Sequence, residues 1–311
     1  MRMQMPRAAP GFSASGMTLS LGGMQQHTAP IEAPENALPD LADNASVTSD
    51  GSATHASVHT SGIILVCGVR RQFIRVFHPN GQFKCDMPLT HAGQHLPVRN
   101  LTATAVDMSN GYIYVCDSEA GAVHCISDEG VVLASSQAGA VMQPLGLSLC
   151  AHSRRLAVAD GTSVRILSAD GLALIKTVAY AHGPAACIQL GHCTGVAFDA
   201  DGFLYVVDSS TDRVFVFDCF YVSIQSFGGR GCDHGQFHVA HGICIDSTGK
   251  VFVSDSTRVQ MFTRSGWHIL SLDPSLLDPQ LAWSQLGGIC LDDRGRLLVC
   301  STGTGALLRI L

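Results

Sequence analysis

The chain repeats itself, and the period of that repeat decides what it can fold into. "GVAFDADGFLYVVDSSTDRVFVF" from Gly195 and "GICIDSTGKVFVSDSTRVQMF" from Gly242 share one order: glycine, apolar strand, Asp, glycine turn, second strand, Asp, then Arg-Val and a third strand. "GICLDDRGRLLVCSTGTGALLRIL" from Gly288 follows the same order, and the stretches from Gly146 and Ala103 are weaker copies. The second strands are expected to end at Gly68, Asp117, Asp160, Asp208, Asp255 and Ser301, in steps of 49, 43, 48, 47 and 46 residues. A period of roughly 40–50 residues with several short strands per unit marks the blades of a β-propeller. One unit exposes too much apolar surface to stand alone, so neighbours must stack.

The first unit aligns on its glycine turn. "HASVHTSGIILVCG" from His55 superposes without a gap on "GICIDSTGKVFVSD", which puts its first strand at Ala56–Val58. At the other end the repeat runs out after a third strand, leaving a fourth to be supplied. "TLSLGG" at Thr18–Gly23 resembles "IQSFGG" at Ile224–Gly229, so Thr18–Leu21 is expected to pair with Ala306–Leu311 and close the ring. Between these pieces, Met24–Thr54 carries Glu32, Glu35, Asp40, Asp43 and Asp50 without a Lys or Arg, the composition of a mobile acidic linker. The expected organisation is an N-terminal segment over 1–54 and a propeller over 55–311.

These motifs resemble the NHL-repeat family, most closely in "FGGRGCDHGQFHVAHGICIDSTGKVFVSDSTRVQMF" from Phe227 to Phe262. The resemblance implies an all-β, six-bladed β-propeller of NHL type, its ring closed by an N-terminal strand. In that family each blade has antiparallel strands a to d, and strand a lines a central channel. Blade five would place a at Gly242–Ile245, b at Val251–Ser254, c at Arg258–Phe262 and d near Ile269–Leu272. The family's proline two residues before the repeat glycine survives only as Pro144.

Composition narrows the classes. Only 14% of residues are charged against a usual ~25%, and 46% are hydrophobic, which suits much buried sheet. No apolar run approaches the ~20 residues of a membrane span, and no secretory signal is legible; a cytoplasmic protein is expected, without membrane or DNA partners and monomeric. A net charge of −6 argues against a generally basic surface. The 12 cysteines include no Cys-x2-Cys pair, and Cys67, Cys116, Cys244 and Cys290 sit in apolar runs, so reduced, buried thiols are expected. The glycosylation sequons at Asn44 and Asn100 are expected to be idle. "GRGCDH" and "GTGALL" lack the strand–helix context of a dinucleotide site.

"CDHGQFHVAH", Cys232 to His241, gathers a thiol and three imidazoles. Zinc favours such ligands, but the stretch falls in the d–a connection of blades four and five, where Cys232, His234 and His238 read as solvated loop residues. His241 immediately precedes the repeat glycine, at the channel mouth. A related propeller, the peptidyl-hydroxyglycine amidating lyase, holds a channel zinc with histidines from several blades. Here the positions equivalent to His241 are Thr54, Thr102, Leu145, Thr194 and Gly287, with His55 and His192 close to other strand-a starts. One imidazole does not make a zinc site, so no metal, cofactor or catalytic residue is expected.

Arg213 and Arg258 follow Asp208 and Asp255, and either grip an anion on the upper face or pin their own turns. The resemblance implies a non-enzymatic scaffold binding a protein partner through that face, without the RING or B-box cysteines of tripartite-motif ubiquitin ligases. The alternative is single-stranded RNA recognition through Arg70, Arg71, Arg99, Arg213 and Arg258, with His192, His238 and His241 for stacking. Asp117, Glu119, Asp160, Asp208, Asp212 and Asp255 in the same loops oppose it. A metal-dependent lyase of the amidating-lyase type is a remote alternative.

Overall fold

The computed structural model describes residues 53–68, 71–182, 187–273, 286–302 and 307–310, with residues 182 and 307–310 described by backbone alone. The sheets are antiparallel meanders in which consecutive strands are neighbours. The first blade comprises Ala53–Val58, Ile64–Gly68, Phe73–Phe77 and Phe83–Pro88. The second comprises Leu101–Val106, Ile113–Asp117, Ala122–Ile126 and Val132–Ser135. Pro144–Cys150, Arg155–Asp160, Ser163–Ser168 and Leu174–Val178 form the third. The fourth is Cys193–Phe198, Leu204–Asp208, Arg213–Phe217 and Ser223–Gly228. The fifth is Ile243–Ile245, Val251–Ser254, Val259–Phe262 and His268–Leu272. A last sheet has three strands, Leu286–Leu291, Leu297–Ser301 and Leu307–Ile310.

The fold is therefore an all-β propeller with five complete blades, where six were expected. The last unit stops at three strands among the described residues, and the expected closing strand, Thr18–Leu21, lies outside them. The first strand begins at Ala53, three residues before the expected Ala56.

Strand b of each unit is an unbroken apolar run because it is covered on both faces by neighbouring sheets; Leu204–Asp208 is buried throughout. Phe215 and Phe217 of the fourth blade pack with Ala157, Ala159 and Ile166 of the third. Tyr205 and Val207 meet Ile243, Val253 and Phe262 of the fifth. Each fully buried side chain of this size contributes about 1.5–3 kcal/mol. Ala56, Ile64 and Val66 of the first blade pack on Leu298 and Cys300 of the last sheet, so the two ends of the series meet.

The Asp-x-x-Gly turns join strands a and b. Asp199 Oδ1 accepts the N–H groups of Asp201 (3.0 Å) and Phe203 (2.9 Å), and Gly202 turns the chain at φ +81°. Asp246 repeats the device with Thr248 and Lys250 (2.8 Å each) ahead of Val251. The carboxylate organises the loop and glycine supplies the left-handed residue.

The Asp that ends strand b works at the opposite end of the blade. Asp208 takes the N–H groups of Gly191 (3.0 Å) and His192 (3.1 Å), and Asp160 those of Met142 (2.8 Å) and Gln143 (2.5 Å). In the second, third and fourth blades this carboxylate ties the incoming d–a connection to the blade it enters, and so positions the residues that start strand a.

Candidate functional site at the axial cavity

The inner strands surround an axial cavity of about 310 Å³. Its wall is built where backbones nearly touch. A Cβ on Gly146 would lie 2.7 Å from the Thr194 carbonyl oxygen, and one on Gly195 would lie 2.6 Å from that of His241. Gly242 and Gly288 stand equally close to Gly287 (2.8 Å) and Thr54 (2.6 Å). At these four positions glycine stands because a side chain would strike the next inner strand.

Hydroxyls at the rim link the blades. Thr54 Oγ1 donates to the Thr102 carbonyl (3.1 Å), and Thr102 Oγ1 to that of Pro144 (2.7 Å). Thr194 Oγ1 donates to the carbonyls of Ala240 (3.2 Å) and His241 (3.0 Å), and Ser254 Oγ to that of Gly287 (2.6 Å). These hydroxyls are engaged with backbone, which leaves the imidazoles of His55, His192 and His241 as the titratable side chains lining the cavity.

His241 is half-buried, and its N–H donates to the Ser254 carbonyl (2.9 Å). Burial lowers its pKa below the usual histidine value; the adjacent His192 lowers it further, and Asp212 and Asp255 oppose the shift. The side chain is thus a neutral imidazole at pH 7, competent to accept a proton. Burial holds His55 down to about 4, and its Nδ1 faces the Thr104 N–H at 3.4 Å.

His192 and His241 are the two expected site residues brought together at this cavity. His192 is also a clip: its Nδ1 lies 3.0 Å from Ser209 Oγ, and its carbonyl accepts the Ser209 N–H (2.9 Å). His238 makes the same pair of contacts with Ser256, at 3.0 Å for both, and does not line the cavity. In the second blade Asn100 does this with Ser118.

The arginines are dispersed. Arg258 is paired with Asp255 (3.2 Å) and donates to the carbonyls of Asp233 (2.9 Å) and Gln236 (3.2 Å), pinning the loop before strand a. Arg165 pairs in the same manner with Asp160 at 3.0 Å. Arg213 is half-buried beside Gly229, and Asp208 turns instead to the amides of Gly191, His192 and Ser210. Arg99 pairs with Glu119 (3.0 Å) in solvent, Arg71 is buried, and Arg70 lies outside the described residues.

The side chains of "CDHGQFHVAH" diverge. His234 stacks on His268 at 4.8 Å and meets Ser271 Oγ at 3.2 Å, whereas Cys232 is exposed. Among the described residues no three His, Cys, Asp or Glu side chains converge as metal ligands. The donor set that the amidating-lyase resemblance requires is therefore not reproduced by His55, His192 and His241. The sequence places His55 close to a strand-a start but does not single it out as a ligand-binding residue; the structure puts it on the cavity wall.

Fold and cavity together define a β-propeller with a histidine-rimmed axial site. No protein-family model matches the sequence, and no curated protein matches it. Among solved structures it resembles virginiamycin B lyase from Staphylococcus aureus, at 13% identity and a TM-score of 0.59, covering 85% of this chain and 82% of that one. It also resembles a streptogramin B lyase, at 11% identity and a TM-score of 0.59, over 84% of this chain and 93% of that one. The likeness shows the fold. It does not support the expected non-enzymatic scaffold, since both of these propellers are named as lyases. The NHL resemblance is one of motifs and has no matching family model.

Proposed function

We propose that this chain is a lyase that eliminates by acid–base chemistry at the lip of the axial cavity, on a ring of six NHL-like units. The observation that carries the reading is His241: a half-buried imidazole, kept neutral by burial and by His192, on the wall of a small-molecule-sized cavity. The names of the neighbouring lyases favour the same reaction class.

In the proposed step a nitrogen of His241 takes a proton from a carbon of the substrate. The C–H electron pair becomes the new C=C bond, and the leaving group departs with its own bonding pair. The leaving group takes its neutralising proton from water at the lip, and His241 is reset by losing the abstracted proton to solvent. A positioned general base contributes typically 10²–10⁴-fold.

The test is turnover of virginiamycin B, and of small esters and thioethers bearing an acidic C–H, followed by mass spectrometry and by ultraviolet absorbance of the new double bond. His241→Gln is expected to lower kcat by at least 100-fold with unchanged circular dichroism. Because the His241 pKa is lowered, activity should persist below pH 6.5 and fall only on further acidification. Undiminished turnover by His241→Gln, or no elimination from any of these compounds, would overturn the proposal.

A further inference from the structure

From the lining of the cavity we infer the class of group that enters it: an uncharged, mainly apolar moiety no larger than a substituted phenyl or branched aliphatic chain. Among the described residues no Asp, Glu, Lys or Arg lines the cavity; besides the imidazoles and threonines of the rim, its wall is made by glycines and by Leu147, Val196, Ile243 and Ile289. The hydroxyls of Thr54, Thr102 and Thr194 are hydrogen-bonded to carbonyls of neighbouring blades, so they offer little to an incoming ion. An ion transferred there would lose its hydration with no opposite charge to replace it, and such a transfer is costly. At about 310 Å³ the cavity lies at the small end of the roughly 300–1,000 Å³ typical of ligand sites. It holds one end of a substrate, while the reacting carbon stays at the lip beside His241.

This assignment rests on the lip being the working site proposed above, but it is read by binding and needs no turnover. Phenylacetamide, phenylacetate and phenethylammonium have nearly one shape and three charges. With the purified full chain at pH 7.4, ligand-observed NMR and calorimetry should rank the amide first, with both ions at least tenfold weaker. Leu145 stands on the rim in the position that His241 occupies in its own blade. Leu145→Trp should abolish binding of the amide, and Leu145→Glu should reverse the order in favour of phenethylammonium, with circular dichroism confirming that each variant folds.

Equal or tighter binding of either ion, no binding of the amide, or indifference to both folded variants would overturn the inference. Amide binding without turnover of any substrate would leave it standing while refuting the lyase reading. Turnover confined to substrates whose ionised end must enter the cavity would do the reverse.

Discussion

Replacing Asp208 by asparagine tests the device that aims the connection entering the fourth blade at the cavity. The carboxylate is fully buried and receives four hydrogen bonds. Oδ2 accepts the N–H of Gly191 (3.0 Å), and Oδ1 accepts those of His192 (3.1 Å) and Ser210 (2.9 Å) together with the Ser210 hydroxyl (2.6 Å). An asparagine oriented to keep the Oδ1 contacts makes three neutral bonds in place of charge-assisted ones, a loss of roughly 0.5–1 kcal/mol each. Its NH2 then faces the Gly191 N–H, and orphaning that donor costs about 1–3 kcal/mol. Relief from burying a charge offsets part of this, so the net destabilisation at pH 7 should be about 3 kcal/mol, or a fall in Tm of roughly 6 °C.

The pH dependence is specific. Burial alone would raise the Asp208 pKa, but the Ser210 hydroxyl and the amides of Gly191, His192 and Ser210 hold it below the usual carboxylate value. Its stabilisation is therefore complete above the unfolded-state pKa of about 3.9 and is lost as pH falls through the lower folded-state value. Thermal melts of both proteins at pH 7, 4 and 3 should show a gap that narrows on acidification. A gap below about 1 kcal/mol at pH 7, or one independent of pH, would refute the reasoning.

Two further substitutions probe the cavity wall and its loop. Gly195→Ala places a Cβ 2.6 Å from the His241 carbonyl and 3.3 Å from Ile243, so melting should report a destabilisation of about 1–3 kcal/mol; an unchanged Tm would mean the blades part freely. Arg258→Lys keeps the charge but loses the fork that joins Asp255 to the carbonyls of Asp233 and Gln236, costing about 1–2 kcal/mol and opening residues 232–238 to proteinase K. Equal cleavage rates in the two proteins would count against the clamp.

The second strands were legible because they are covered on both faces, which writes them as short apolar runs closed by Asp, Gly or Ser. Leu204–Asp208 and Ile113–Asp117 end where the repeat places them. The site was harder to read. His192, His238 and His241 lie in similar loops, yet His238, held on Ser256, does not line the cavity and His241 does, the chain between them passing through Val239 at φ +58°. Arg213 and Arg258 occupy matching positions, but only the second meets its Asp, because amides had already claimed the carboxylate of Asp208. Such competition among neighbours for one acceptor has no signature in spacing.

The contact between the first and last sheets also sets the order in which the ring can assemble. Every other interface joins blades adjacent along the chain, but Ala56 and Ile64 meet Leu298 and Cys300 across nearly the whole propeller sequence. Bringing those surfaces together closes a loop of more than 200 residues, an entropic cost of about 5 kcal/mol. The return on that closure arrives only when both sheets are already formed. Successive blades can therefore stack as a growing arc, with the seam joining last and governing the rate. Native-state hydrogen exchange would see this as amides of Ile64–Gly68 and Leu297–Ser301 opening together, at lower free energy than those of Leu204–Asp208.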